Sequence, residues 1–114
     1  MKQTWDYLEN VAFSAIVCDK EGIVLYQNAM ARKRDGDVIG QNLYNCHGKK
    51  SGEKIRHMME TGESNTYEYI QHGKQYFIHH TPWFEEPGGE ISGLIELEIE
   101  IPQNYPLFNR DKKE

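Results

Sequence analysis

A cysteine and a histidine stand side by side in the segment NCHGKKSGEKIRHMMETG, residues 45–62. Cys46 and His47 are of types that ligate metal ions, and histidine is also an axial ligand of haem iron. Adjacent residues point in different directions, however, and no CxxC or HxxxH pair accompanies them, as a closed zinc site requires. In the alternative interpretation Cys46 packs as a small apolar residue, His47 hydrogen-bonds the loop, and Ser51 caps the following helix.

Two further histidines, His79 and His80, are neighbours in a predicted strand. Side chains alternate across a strand, so one of them faces the core and the other faces away, and the sequence does not say which. An inward histidine is either a satisfied core group, which is the commoner case, or the one polar contact that orients a small molecule. Neither Ser51 nor Cys46 has an evident base oriented by a third group, so the sequence predicts that the protein is not an enzyme.

The composition is that of one globular domain. The chain has 114 residues, 38% of them apolar and 27% charged, with a formal net charge of −5. The negative charge argues against a nucleic-acid partner, because a phosphate-binding surface needs clustered lysine and arginine. No run approaches the roughly 20 apolar residues that span a bilayer, and the first residues lack the apolar stretch of a signal peptide. We therefore expect a cytoplasmic protein without a membrane partner.

Hydrophobic periodicity predicts an α+β fold. A short helix over residues 2–10 precedes a β-hairpin, and Asn28 is placed to cap the next helix. A longer helix is predicted from Ser51 to the glycine at position 62. The predicted strands cover residues 12–19, 23–27, 66–71, 75–84 and 90–101. This order predicts a five-stranded antiparallel sheet with short helices packed on one face and the N-terminal helix lying apart from them.

The last strand has the clearest pattern in the chain. Isoleucine and leucine alternate with glutamate over EISGLIELEIEI, residues 90–101. A period of two with carboxylates on one side predicts that the apolar side is buried and that the glutamates are exposed to water. The predicted buried side carries Ile91, Ile95, Leu97, Ile99 and Ile101.

Residues 10–102 resemble a PAS domain. The opening hairpin AIVCDKEGIVLYQN resembles that of the family, DVIGQNL resembles its Ile-Gly-x-x-Leu element, METG matches the end of its central helix, and GGEISGLIELEIEIP resembles its last strand. The residues that carry the resemblance are Asp19, Gly22, Asn28, Ile39, Gly40, Leu43, Gly62, Gly89 and Gly93. It implies a domain over residues 12–102, preceded by the N-terminal helix (residues 1–11) and followed by a non-helical tail (residues 103–114).

The resemblance implies a sensor or regulatory domain with a small-molecule cavity between the central helix and the sheet. The candidate ligand-binding residues are Cys46, His47, Ile55, Met58, Met59, Phe77, His79, Ile95 and Leu97. A large aromatic on a short helix is hard for a small domain to bury. We therefore expect a homodimer through Trp5 and Leu8, with the signal leaving through that surface or a separate effector protein.

Departures from the family limit the cofactors. Photosensory relatives carry Gly-x-Asn-Cys, whereas this chain has leucine at position 43, so flavin adduct chemistry is not expected. Pro102 and Pro106 oppose a continuous helix into a fused effector. The Cys-His-x-x-x-Ser motif resembles a subgroup linked to hemerythrin-like proteins, and one alternative is a haem or metal sensor that uses His47. Another alternative is a filled-core PAS domain that acts only as a protein-interaction module.

Overall fold

A computed structural model describes residues 4–43 and 49–111 of the chain. In this range five strands form one antiparallel sheet in the order β2-β1-β5-β4-β3. The strands are β1 (Ser14–Asp19), β2 (Val24–Gln27), β3 (Asn65–Gln71), β4 (Lys74–Phe84) and β5 (Ile91–Glu100), and the helices are α1 (Ala29–Asp35) and α2 (Lys49–Thr61). The predicted α+β fold is confirmed, and each predicted strand is present to within two residues.

The β1–β2 hairpin closes on a turn that its sequence dictates. The Asp19 carboxylate accepts hydrogen bonds from the backbone N–H groups of Glu21 (2.9 Å) and Ile23 (3.0 Å). Gly22 adopts a φ of 87°, a left-handed conformation that glycine enters without steric cost. An aspartate followed three residues later by glycine therefore fixes this turn.

Asn28 connects three parts of the fold and is fully buried. Its side-chain oxygen accepts from the backbone N–H of Ala31 (3.1 Å), as expected of an N-cap, and from that of Ala15 in β1 (3.0 Å). Its amide nitrogen donates to the carbonyls of Leu8 (3.0 Å) and Phe13 (2.8 Å). The helix start, the first strand and the N-terminal segment are thus held by one side chain.

Helix α2 ends at the predicted residue, but it begins earlier than the sequence predicts. Gly62 has a φ of 77° and donates its N–H to the carbonyl of Met58 (2.8 Å). The predicted N-cap at Ser51 is wrong, because Ser51 lies inside Lys49–Thr61 and an N-cap residue lies outside the helical turns.

The sheet has an inner face, on which the helices pack, and an outer face. The buried core of the inner face comprises Ile16, Cys18, Val24, Ala31, Leu43, Ile55, Met58 and Leu94. Because side chains alternate, Glu96 and Glu98 share the inner face with Leu94, whereas Ile95, Leu97 and Ile99 lie on the outer face. The prediction for β5 therefore found the period and assigned the faces the wrong way round.

On the outer face, the side chain of a tryptophan in β4 reaches over β5 to the backbone of β1. Trp83 pairs with Gly93, and its indole N–H donates to the carbonyl of Cys18 on the next strand (2.9 Å). A Cβ at position 93 would lie 1.9 Å from that carbonyl oxygen and 2.5 Å from the indole nitrogen. Only glycine leaves room for this contact.

The N-terminal segment packs against the hairpin instead of lying apart. It forms a 3-10 helix, Thr4–Tyr7, and not the predicted α-helix. The Trp5 ring stacks on Tyr26 with centroids 4.8 Å apart, and the carbonyl of Glu9 accepts from Ala29 N–H (2.9 Å). Because the carbonyl of Glu9 bonds to α1, it is not available for a regular α-helix in the N-terminal segment. Leu8 is half-buried and Trp5 remains 41% exposed.

Residues 101–111 contain neither helix nor strand. In the part of the chain that the structure describes, no helix is long and apolar enough to span a membrane.

Candidate functional site

A cavity of about 230 Å³ lies between α2 and the inner face of the sheet. Helix α2 contributes one polar and two apolar side chains, and the strands contribute four polar or aromatic ones. The lining residues are Lys54, Ile55 and Met58 from α2, Asn65 and Tyr67 from β3, His80 from β4 and Glu96 from β5. Ile55 and Met58 are both 3% exposed and form the apolar wall.

His80 occupies the sheet side of this cavity with one ring nitrogen bound and the other unbound. Its Nε2 lies 2.9 Å from Oε2 of Glu96, which faces it across the β4–β5 pair. Among the described residues, His80 Nδ1 is the one buried side-chain nitrogen or oxygen without a hydrogen-bond partner. Buried polar atoms are normally paired, so this nitrogen has a bonding position that a molecule in the cavity, water or ligand, can fill.

The charge state of Glu96 fixes the direction of this hydrogen bond. Burial raises the pKa of the carboxyl, but the hydrogen bond from His80 and the charge and hydrogen bond of Arg34 act against burial, and the pKa lies below its usual value. An ionised carboxylate can only accept. His80 Nε2 therefore donates to Glu96, and Nδ1 is the atom left for the cavity.

Arg34 on α1 pairs with both inner glutamates. Its Nη2 lies 3.1 Å from Oε1 of Glu96, and its Nη1 contacts Glu98. Although burial opposes the charge, hydrogen bonds to Asp35 and Glu98 raise the pKa of Arg34. The Tyr69 hydroxyl donates to Glu98, and burial together with this bond raises the pKa of Tyr69. These residues form one network, which we call the inner network: His80, Glu96, Arg34, Glu98 and Tyr69.

The rim of the cavity supplies hydrogen-bonding groups of both kinds. Lys54 offers a cationic donor, and the Asn65 amide both donates and accepts. The Tyr67 ring lies 6.1 Å from the His80 ring, and burial together with Glu96 and Glu98 raises the pKa of its hydroxyl, which keeps it protonated. The cavity can therefore hold a compact molecule with an apolar body and one or two polar groups.

The inner network continues from this cavity to a second opening. A groove of about 450 Å³ begins beyond Arg34, and Glu98 and Tyr69 lie in its wall. Tyr69 stacks there on Tyr76, with ring centroids 5.1 Å apart. The network thus has members in the walls of both concave surfaces.

The structure brings together only part of the predicted site. Ile55 and Met58 line the cavity, whereas Met59 is half-buried against the core and does not line it. Four other predicted residues lie on the outer face, because each pairs with a residue of that face: Phe77, His79, Ile95 and Leu97. His79 contacts Thr66 Oγ1 at 2.8 Å, so His80 is the histidine that faces the cavity. Cys46 and His47 lie outside the described residues.

Sequence reasoning missed the residues that make the cavity polar. Lys54, Asn65 and Tyr67 carry no motif, and Glu96 was assigned to solvent. The missed signal was the pair of adjacent histidines, one of which lies opposite a glutamate once the strands are in register. Within residues 4–43 and 49–111, no group of three histidine, cysteine or acidic side chains is arranged to hold a metal ion.

No protein-family model matches the chain, and no curated protein matches it. Solved structures do resemble it. The PAS domain of the histidine kinase ThkA aligns with a TM-score of 0.64 at 18% identity, over 78% of this chain and 99% of that domain. VqmA bound to DPO aligns with a TM-score of 0.66 at 19% identity, over 84% of this chain and 56% of VqmA. A C-terminal domain from Streptococcus mutans gives 0.70 at 19% identity, over 86% and 82%. The fold is a PAS fold.

Proposed function

We propose that this chain is a sensory PAS domain that binds a small molecule in the cavity between α2 and the inner face. The observation that carries the proposal is the buried, unpaired Nδ1 of His80, which a ligand group would satisfy. The likeness to a kinase PAS domain and to VqmA, whose structure is described as bound to DPO, supports a sensory role. No serine or cysteine nucleophile lines the described cavity, which supports binding rather than catalysis.

The inner network supplies a route for the signal. A ligand at His80 changes the partner of one ring nitrogen, and the other nitrogen holds Glu96, which in turn holds Arg34 of α1. Two positions of α1 with different ligand affinity would be enough for a population shift. We propose that a separate effector protein or a second copy of the chain reads this shift.

The described cavity does not favour haem. Its volume of about 230 Å³ lies below the roughly 300–1,000 Å³ of sites for drug-sized ligands, and haem is larger than such ligands. A haem or metal sensor that uses His47 stays an alternative. Absorbance of the purified protein in the Soret region tests it directly.

Native mass spectrometry of the full chain, together with ¹H–¹⁵N spectra of protein before and after ligand removal, tests the proposed function. We expect a retained small molecule whose removal shifts the resonances of Lys54, Asn65 and His80. Met58→Trp fills the cavity and should abolish retention, whereas Met59→Trp is the matched control because Met59 lies outside the cavity wall. If the folded wild-type protein retains no ligand and binds no added ligand, the filled-core alternative is favoured.

A further inference from the structure

Both carboxylate oxygens of Glu96 are already occupied. Oε1 accepts from Arg34 and Oε2 accepts from His80. A cationic ligand would therefore have to share Glu96 with Arg34 and His80. An anionic ligand meets the buried charges of Glu96 and Glu98, and Lys54, the one cation among the described lining residues, lies at the exposed rim. A neutral ligand is the class that these charges favour.

His80 Nδ1 is best described as a bare acceptor. Nε2 carries a proton because it donates to Glu96, so a proton on Nδ1 as well would leave a buried N–H without an acceptor. An unsatisfied buried polar group costs free energy, and the cost is larger for a charged group, as the doubly protonated ring would be. The neutral ring with its lone pair at Nδ1 is therefore the state that the cavity presents, and it requires a donor from the ligand.

The volume and the apolar wall set the size of the ligand. An engineered cavity of about 150 Å³ lined by apolar side chains is known to hold benzene. The present cavity, at about 230 Å³, has room for one ring with small substituents. Ile55 and Met58 would contact the ring, and methionine adapts its shape to flat apolar groups.

We propose that the cavity selects a compact, neutral, single-ring molecule whose hydroxyl or N–H group donates a hydrogen bond to His80 Nδ1. This inference rests on the proposed function, and it adds the chemical class of the ligand and the atom that recognises it.

Three probes of similar size test the selection on the full chain freed of any retained ligand. Phenol carries a donor, toluene has the same shape without one, and benzaldehyde carries only an acceptor. In ¹H–¹⁵N titrations we expect phenol to bind at least about tenfold more tightly than either of the others, as the loss of one buried hydrogen bond predicts. Long-range ¹H–¹⁵N spectra should show a proton on Nε2 of His80 and none on Nδ1.

A histidine pair in the chain provides the matched variants. His80→Phe keeps a ring in the cavity wall and removes the acceptor, so phenol should lose its advantage over toluene. His79→Phe makes the same change on the outer face and should leave the advantage intact. The comparison of the three probes on the wild-type chain stands even if His80→Phe does not fold.

Other results overturn the selection. Equal affinity for phenol and toluene would show that Nδ1 does not select the ligand. Tighter binding of benzaldehyde, with a proton on Nδ1, would show that His80 donates. A retained natural ligand with no phenol binding contradicts the donor selection and leaves the proposed function standing, whereas no retained ligand and no probe binding contradicts both.

Discussion

Strand β5 has two faces that differ in charge and in burial. On the inner face, the side chains of Glu96 and Glu98 are only 11% and 9% exposed, and Arg34 pairs with both. On the outer face, Ile99 is 37% exposed although it is apolar. Buried charge is tolerated where it is paired and hydrogen-bonded, and partly exposed apolar residues are ordinary in small domains. The polar face of β5 is therefore its more buried face, because Arg34 of α1 supplies the counter-charge.

The largest expected loss of stability comes from a substitution on the outer face, at Gly93, where the Trp83 side chain lies over β5. Gly93→Ala would place a Cβ 1.9 Å from the carbonyl oxygen of Cys18, a backbone atom that cannot move away without breaking the β1–β5 pairing. We expect the free energy of unfolding to fall by about 4 kcal/mol or more, as in other substitutions that force backbone strain. Urea denaturation followed by tryptophan fluorescence measures the change. Gly89→Ala, whose Cβ would meet Glu86 O at 3.2 Å in an exposed turn, is the control and should cost much less.

The next effect tests the paired charges of the inner face. Arg34→Leu leaves Glu96 and Glu98 buried without their cation, and we expect a loss of about 3 kcal/mol in the free energy of unfolding. Lys33→Leu, at the exposed neighbouring position, should change it little. Adding Glu98→Gln to Arg34→Leu should recover part of the loss, because one uncompensated charge is then removed. A loss no larger than that of Lys33→Leu would show that the inner glutamates are hydrated and not held by Arg34.

A smaller effect follows from the lowered pKa of Glu96. The unfolded carboxyl titrates near its usual pKa of 4.5 and the folded one below it, so the unfolded state binds more protons as the pH falls. The stability from this group is present above pH 4.5 and is lost as the pH falls through the folded pKa. We expect the difference in unfolding free energy between wild type and Glu96→Gln to shrink below pH 4.5. Glu100→Gln, at an exposed position on the same strand, is the control for the substitution itself.

Much of the fold was predictable from the sequence, but which face of β5 points toward the core was not. Short runs bounded by turn residues found the strands, and alternation gave the pattern of β5. Asp19, Gly22, Asn28 and Gly62 predicted the turns and helix ends, because each makes its cap or turn contact with backbone groups a few residues away. The face of β5 depended on Arg34, which lies 62 residues from Glu96 in the sequence. A period of two is identical for a strand with either face inward. The polar cavity was missed for the same reason, since His80 and Glu96 meet only through strand register.

The smallest expected effect compares one substitution on the two faces. Ile78→Val on the inner face removes a methyl group from a side chain that is 2% exposed and pairs with Glu98, and should cost about 1 kcal/mol. Ile99→Val on the outer face, opposite Phe77, should fall within about 0.5 kcal/mol, the usual range for surface positions. Thermal unfolding at several protein concentrations measures both. If a second copy covers the outer face, Ile99→Val will cost as much as Ile78→Val at high concentration and less on dilution, because subunit association contributes to stability by mass action. A concentration-dependent cost at Ile99 would therefore move the predicted dimer surface from Trp5 and Leu8 to the outer face of β4 and β5.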